Sequence, residues 1–303
     1  MLKRKNRNIV KQGGIGYNVF QLVSACFFAL FAFICLYPFW YVVIYALSDT
    51  SRIAGGLTFL PKGFTLRYFG MVFQMPNIYN AFLISVLRAV TGTALTLFFS
   101  AMFAFVLTKS RLPGRRIIYR LLVISMYIEV GLIPWYLMMR AYGLRNNFLL
   151  YILPYAITAY YVVLIKTFIE GIPEALEEAA LIDGANYFQV FTKIILPVSM
   201  PVLAAVAVFS MVGQWNSWTD NFYLVSDGKL QTLQYMLLRL LRQTEAIAAA
   251  VRSGNTQAMR SASVSPMSIR MTTTVVTVIP VLLVYPLLQR YFVKGIMLGA
   301  VKA

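Results

Sequence analysis

Long uncharged runs alternate with short polar stretches along this chain. A helix crosses the hydrocarbon of a bilayer with about 20 mostly apolar residues. Six stretches fit, at about Tyr17–Leu47, Tyr79–Leu107, Leu121–Met139, Phe148–Phe168, Pro197–Gln214 and Thr272–Phe292. Arg88 interrupts the second, Glu129 lies near the middle of the third and Lys166 near the end of the fourth. The pattern predicts an all-α integral membrane protein with six transmembrane helices in a single membrane domain over 1–303, without a soluble domain of ordinary size. No internal repeat or low-complexity tract stands out.

Composition agrees with that reading. Apolar residues make up 60% of the chain and charged residues 12%, with a mean hydropathy of +0.72. Soluble domains carry about 25% charged residues. A net charge of +17 would suit a nucleic-acid partner, but the charges are spread through loops between apolar runs. The excess of Lys and Arg in cytoplasmic loops of membrane proteins accounts for that distribution, so no nucleic-acid partner is expected. The chain has no His, which removes the commonest catalytic base and metal ligand. No metal and no cofactor are expected. At helical spacing Cys26 and Cys35 fall on opposite faces of the first run, so they cannot pair with each other and read as small buried apolar residues.

Orientation follows from the basic residues. The N-terminal tail, 1–16, holds Lys3, Arg4, Lys5, Arg7 and Lys11 without an acid. The loop after the second run holds Lys109, Arg111, Arg115, Arg116 and Arg120, again without an acid. Both stretches are expected in the cytoplasm, and an even number of spans places the C-terminal tail, about 293–303, there too. Leu22–Cys26 resembles a lipoprotein cleavage box, but the apolar run continues well past Cys26, so it reads as a retained span. The longest outer loop, about 217–271, contains a helical-looking stretch over Leu230–Val251.

One segment departs from this alternation. Glu174–Pro201, between the fourth and fifth runs, begins with a short acidic helix. Pro173 suits a first helical turn, and Glu174, Glu177 and Glu178 crowd the positive end of the helix dipole. Ala175, Leu176, Ala179, Ala180 and Leu181 favour helix, and Gly184 suits a left-handed cap after Asp183. A helix over Pro173–Asp183 is too short and too acidic to span lipid. An interfacial helix would carry Lys and Arg on its polar face, whereas this face is negative. Ala179 and Ala180 leave it smooth, and Glu178 offers a carboxylate to a partner's Arg. The segment therefore predicts a docking element on the cytoplasmic side.

The order Glu178-Ala179-Ala180, Gly184 four residues on, then Ile194, Leu196 and Pro197, resembles the EAA signature of ABC importer permeases. Gly131-Leu132-Ile133-Pro134-Trp135-Tyr136, Tyr142-Gly143-Leu144, Gln214-Trp215-Asn216 and the tail Tyr285–Gly295 extend the resemblance over nearly the whole chain. The chain is similar to carbohydrate-type permease subunits of the MalG kind, and within them to the LplC/YtcP group. The resemblance implies a type I importer (MetI-like) permease fold of six transmembrane helices in a bacterial cytoplasmic membrane. It implies a heterodimer with a second permease subunit, two ATPase subunits below, and an extracytoplasmic binding protein delivering a sugar or oligosaccharide. Glu174, Glu177, Glu178, Ala179, Ala180, Asp183, Gly184 and Ala185 would then couple to the ATPase across a loop of about 169–196. Gly299, Ala300, Val301 and Lys302 would reach down between the ATPases, and the long outer loop would reach into the binding protein.

Glu129 falls where a small or polar residue is expected. A buried carboxylate in a span is a functional candidate; it can pair with Arg88, face the aqueous pathway, or touch sugar. Trp135, Tyr136 and Trp215 are candidates for stacking on sugar, although most aromatics here anchor the membrane interface. The basic excess of the outer loops suits an anionic oligosaccharide, but contact with an acidic binding protein or lipid head groups accounts for it better. The chain lacks the Gly-x4-Gly-Lys-Ser/Thr loop that cradles nucleotide phosphates. It is therefore expected to be a transport subunit and not an enzyme, with ATP hydrolysed by a partner. An ion-coupled secondary transporter or channel is the alternative, but it leaves the acidic segment unexplained.

Overall fold

The computed structural model describes residues 15–49, 52, 58–128, 130–254 and 267–283. Regular structure among them is helical, with an isolated antiparallel bridge between Ser48 and Phe64. Helix α1 (Ile15–Ala46) runs through Pro38 without stopping. None of its most apolar window is buried against the rest of the chain. Cys26 and Cys35, expected to be buried, are both exposed on it. Lipid tails are as apolar as these side chains, so such a helix needs no protein cover in a bilayer. A short helix, α2 (Arg67–Phe73), then leads into α3 (Ile78–Thr108).

Helix α3 is the axis of the bundle. It is an unbroken 31-residue helix and packs chiefly against α10 and α6. Its buried face is built from small residues, among them Ala81, Ser85, Ala89, Gly92, Ser100 and Ala104, which let neighbouring backbones approach. Gly92 is required: a Cβ there would lie 2.8 Å from Nε2 of Gln214.

The remaining apolar runs are broken. The third expected span, Leu121–Met139, is two helices, α4 (Arg115–Ser125) and α5 (Leu132–Ala141). Gly131 is the extended cap of α5, and Pro134 in its first turn needs no hydrogen-bond partner for a missing N–H. The fourth begins as two 3-10 turns, Phe148–Tyr151 and Leu153–Tyr155, and bends by 45° into α6 (Ala159–Ile169). After α7 (Ala175–Ile182) come α8 (Tyr187–Val190), a π turn over Phe191–Ile195 and α9 (Leu196–Val198). An 80° bend at Ser199 separates them from α10 (Met200–Asn216), the fifth expected span. Pro197 and Pro201 flank the bend and remove backbone donors on either side of it. Two short elements and α12 (Leu233–Arg252) follow: α11 (Thr219–Leu224) and a 3-10 turn over Gly228–Leu230. Helix α13 (Met267–Leu283) is the described part of the sixth apolar run.

By length and apolarity two described helices can cross a membrane alone, or four if each bent pair is one crossing. Two buried clusters sit at opposite ends of α3. Leu107, Ile165, Ile169, Val190, Phe191 and Ile195 form the one beneath α7. Ile84, Leu150, Tyr151 and Leu224 belong to the one beneath α11.

Candidate functional site

The acidic helix α7 covers eight residues, Ala175–Ile182, shorter at both ends than the expected Pro173–Asp183. Glu174 is its N-cap, so Pro173 precedes the helix. Its C-terminus closes as the sequence suggests. Gly184 takes φ +84°, its N–H donates to Leu181 O at 3.1 Å, and Ala185 N donates to Ala180 O at 3.0 Å. These two bonds make a Schellman cap and satisfy carbonyls that the helix end would leave bare.

The two faces of α7 differ. Ala180, Leu181 and Ala185 pack on the cluster around Leu107 and Ile169. On the same side Glu177 accepts an ion-paired hydrogen bond from Lys109, the C-cap residue of α3. The Lys109 ammonium also lies 3.9 Å from the centroid of the Phe105 ring. Next to this contact Glu170 receives Lys166 at 2.6 Å and Arg115 at 3.2 Å, which ties α6 to the start of α4. A cavity of about 360 Å³ lies between the two, with Lys109, Arg111, Glu170, Glu174 and Glu178 on its walls. The rest of the helix surface is bare: Ala179 and Asp183 are exposed, Leu176 is 46% and Ile182 85% exposed, and Glu174 and Glu178 are exposed at the rim of that cavity. A surface carrying bare Leu and Ile between carboxylates suits a protein partner better than water.

At the other end of α3 lies a buried charge network. Arg88, 1% exposed, donates from Nη1 to Oδ1 of Asp220 at 3.0 Å and from Nη2 to Oδ2 at 2.5 Å. Its Nε donates to Gln214 Oε1 at 3.0 Å, and Nη1 also reaches Ser217 O at 3.3 Å. The guanidinium lies 4.6 Å from the centre of the Tyr151 ring. Asp220 further accepts from Asn221 N at 2.8 Å. Asn221 donates to Tyr151 Oη, whose hydroxyl donates to Leu230 O at 2.6 Å. Ser85 accepts from Leu233 N at 2.8 Å, and Asn80 donates to Lys229 O. The stretch from Ser217 to Leu233 is therefore stitched to the first turns of α3 at three places.

Sequence reasoning had offered Glu129 as a partner for Arg88; the partner is Asp220. Two forked hydrogen bonds to a fully desolvated carboxylate occupy the guanidinium. Glu129 lies outside the described residues, as do Gly299, Ala300, Val301 and Lys302. Trp135 and Tyr136 are half-buried on α5 and pack against the cluster around Tyr151. Trp215 is 6% exposed in a different cluster, with its indole N–H donating to Thr277 O at 3.1 Å. The three aromatics do not converge on one surface of this chain. A cavity of about 260 Å³ opens instead beside Arg88, walled by Thr96, Tyr155, Thr158, Tyr161, Ser210 and Gln214. None of those six had been singled out for sugar contact. The signal available was their hydroxyl and amide content inside apolar runs.

An apolar bundle with bent helices, an internal polar network and a short acidic helix laid bare on one face defines a helical membrane subunit of a transport system. No family model matches the chain. It is 35% identical over 286 residues to the polygalacturonan/rhamnogalacturonan transport system permease protein YtcP of Bacillus subtilis, covering 94% of this chain and 98% of that protein. It is 33% identical over 285 residues to Protein LplC of the same organism, covering 94% and 95%. The crystal structure of a bacterial ABC transporter that imports the acidic polysaccharide alginate contains a chain that superposes with a TM-score of 0.81. That match has 27% identity and covers 92% of this chain and 99% of the other. The chain belongs to the carbohydrate-type ABC importer permeases, the family that includes YtcP and LplC.

Proposed function

We propose that this subunit passes a sugar or oligosaccharide inward by alternating access, driven by ATP hydrolysis on two partner ATPase subunits. On this reading the chain crosses the bacterial cytoplasmic membrane six times with both termini inside, and the α7 end of the bundle is cytoplasmic. The broken third, fourth and fifth runs then each count as one crossing. A second permease subunit completes a heterodimer, and the exposed apolar face of α1 lies in lipid or against that subunit. An extracytoplasmic binding protein delivers the sugar at the α11 end. The tail residues Gly299–Lys302 extend towards the ATPases.

A single observation carries the coupling role: α7 is seated on the bundle by one face and leaves Leu176, Ala179 and Ile182 bare on the other, with Glu178 exposed at the edge between the two. Bare apolar side chains beside a carboxylate on the cytoplasmic side fit a cleft on an ATPase that supplies a cation. Glu174, Asp183 and the capped turn at Gly184 and Ala185 frame that surface. Glu177 supports it from behind. For the sugar, the hydroxyl-, amide- and phenol-lined cavity beside Arg88 has the groups to exchange hydrogen bonds with a hydrated solute. Trp135 and Tyr136, on α5, are not among the residues that line it and remain separate candidates. Because YtcP is named for polygalacturonan and rhamnogalacturonan and the matched structure for alginate, an acidic oligosaccharide is the first substrate class to test.

The test is Glu178→Arg in the assembled importer. Uptake should fall while the protein still inserts and the ATPases still turn over. Normal uptake with this variant would remove Glu178 from the coupling surface.

A further inference from the structure

The two side-chain clusters described above share one helix. Arg88 lies about a third of the way along α3 and Lys109 caps its last turn. Along a helix of about 1.5 Å rise per residue they stand about 31 Å apart, close to the thickness of the hydrocarbon layer. Between them α3 is unbroken, without Pro, whereas the runs corresponding to the third, fourth and fifth spans are each interrupted. A helix that bends at Ser199 or stops at Ser125 absorbs a displacement at its break. α3 has no such break.

Each end of α3 grips a different element. At the first, Asn80, Ser85 and Arg88 hold the Ser217–Leu233 stretch by hydrogen bonds and a fully buried ion pair. At the second, Lys109 holds Glu177 on the inner face of α7. We infer that α3 is a rigid rod that carries displacement between the α11 loop and α7, with Arg88 and Lys109 as the positioning residues that fasten it at its ends. This rests on the reading of α7 as the ATPase-facing helix and of the α11 loop as the binding-protein-facing one. Under it, docking of the loaded binding protein shifts the Ser217–Leu233 stretch, and α3 delivers that shift to α7. Glu177 then acts inside this chain, as the anchor of α7, while Glu178 faces the partner. Coupling between distant sites requires an element that both sites bias, and α3 is the continuous element that touches both.

The experiment uses the complete importer in proteoliposomes and reads the ratio of ATPase activity with and without sugar-loaded binding protein. Lys109→Glu places two carboxylates together and should cut that ratio by about fivefold or more, the low end of an allosteric coupling. Lys109→Arg should keep the ratio, and Lys109→Glu with Glu177→Lys should restore most of it. Arg88→Lys keeps the charge and loses the fork, and should lower the ratio as well. Because the two fastenings lie in series, Lys109→Glu combined with Arg88→Lys should be no worse than the more severe single change. An ordinary folding defect would lower the amount of assembled complex, so the ratio is read per assembled complex and the yield is recorded beside it. A wild-type ratio in Lys109→Glu, or multiplying losses in the double variant, would overturn the rod. If the unaltered complex showed no ATP-dependent uptake, the transport reading itself would fail, a result the variants cannot mimic.

Discussion

Asp220→Asn tests the buried network most directly. The substitution keeps shape and removes a charge, leaving the Arg88 guanidinium dry and unpaired at 1% exposure. Breaking a buried ion pair from one side costs about 3–5 kcal/mol. Three contacts soften the loss: Gln214 Oε1 at 3.0 Å, Ser217 O at 3.3 Å and the Tyr151 ring at 4.6 Å. An Asn amide can also still accept one hydrogen bond. The lower bound, about 3 kcal/mol, is therefore the expected size. For 303 residues, at about 2.1 cal/mol/K of unfolding entropy per residue, that corresponds to a fall of about 5 °C in apparent melting temperature. The assay is thermal unfolding of the purified permease complex in detergent, followed by loss of the monodisperse peak. Asp227→Asn is the matched control. Asp227 is exposed and caps Lys229 N at 2.9 Å, a task Asn performs equally well. Arg88→Met with Asp220→Leu, which removes both charges together, should recover much of the loss because no ion is left stranded. An Asp220→Asn protein that melts with the Asp227→Asn control would mean that water reaches Arg88, and the dry-network argument would fall.

Two further substitutions probe the helix packing and the α7 cap. Gly92→Ala introduces a Cβ 2.8 Å from Gln214 Nε2, and Gln214 cannot swing aside without releasing Arg88 Nε. A loss of about 1–3 kcal/mol is expected in the same melting assay, against no loss for Gly70→Ala, where the new atom meets nothing within 4 Å. Gly184→Ala places an L side chain at φ +84° with no steric neighbour, so the cost is backbone strain alone, about 1–2 kcal/mol. It should loosen the end of α7 and lower recovery of the ATPase in co-purification. Gly184→Asn, which tolerates the left-handed region, should lose less.

Much of the architecture was readable from hydropathy, and the misses have local causes. The second run was expected at Tyr79–Leu107 and forms α3 at Ile78–Thr108, because nothing in it interrupts the helix. The third run was equally apolar yet stops at Ser125 and restarts at Leu132. Averaging over a window measures affinity for lipid and ignores backbone continuity, although Gly131 and Pro134 were there to be read. Pro154 in the fourth run and Pro197 and Pro201 beside Ser199 carry the same message. The two cysteines were placed inside because small apolar residues are usually buried; on a helix with none of its most apolar window covered by the rest of the chain that rule has no force. For α7 the cap at Gly184 was foreseen. The roles of Glu177 and Glu178 were not separable, since adjacent residues point about 100° apart and only the packing of Ala180 and Leu181 fixes which one turns inward.

The pairing of Arg88 with Asp220 was the part least open to sequence reading, and the reason is geometric. Glu129 suggests itself as the partner because it lies within an apolar run as Arg88 does, whereas Asp220 falls in a stretch that hydropathy assigns to an outer loop. Depth alone is a poor guide because a helix that bends changes which residue meets which. After α10 ends at Asn216, Ser217 and α11 are held against Arg88 of α3, and that contact carries a residue nominally in an outer loop into the interior. Its neighbours gave a hint. Gln214, Ser217, Asp220 and Asn221 put four hydrogen-bonding side chains within one short stretch that also contains Trp215 and Trp218. Polar groups interleaved with tryptophan suit a buried, satisfied network better than an open loop, where the indole rings would lie in water. An unpaired Arg in the middle of a span and a polar stretch with unexplained aromatics are two halves of one requirement. Each desolvated charge needs a counter-charge with enough donors and acceptors around it, and among the described residues the α11 segment supplies both.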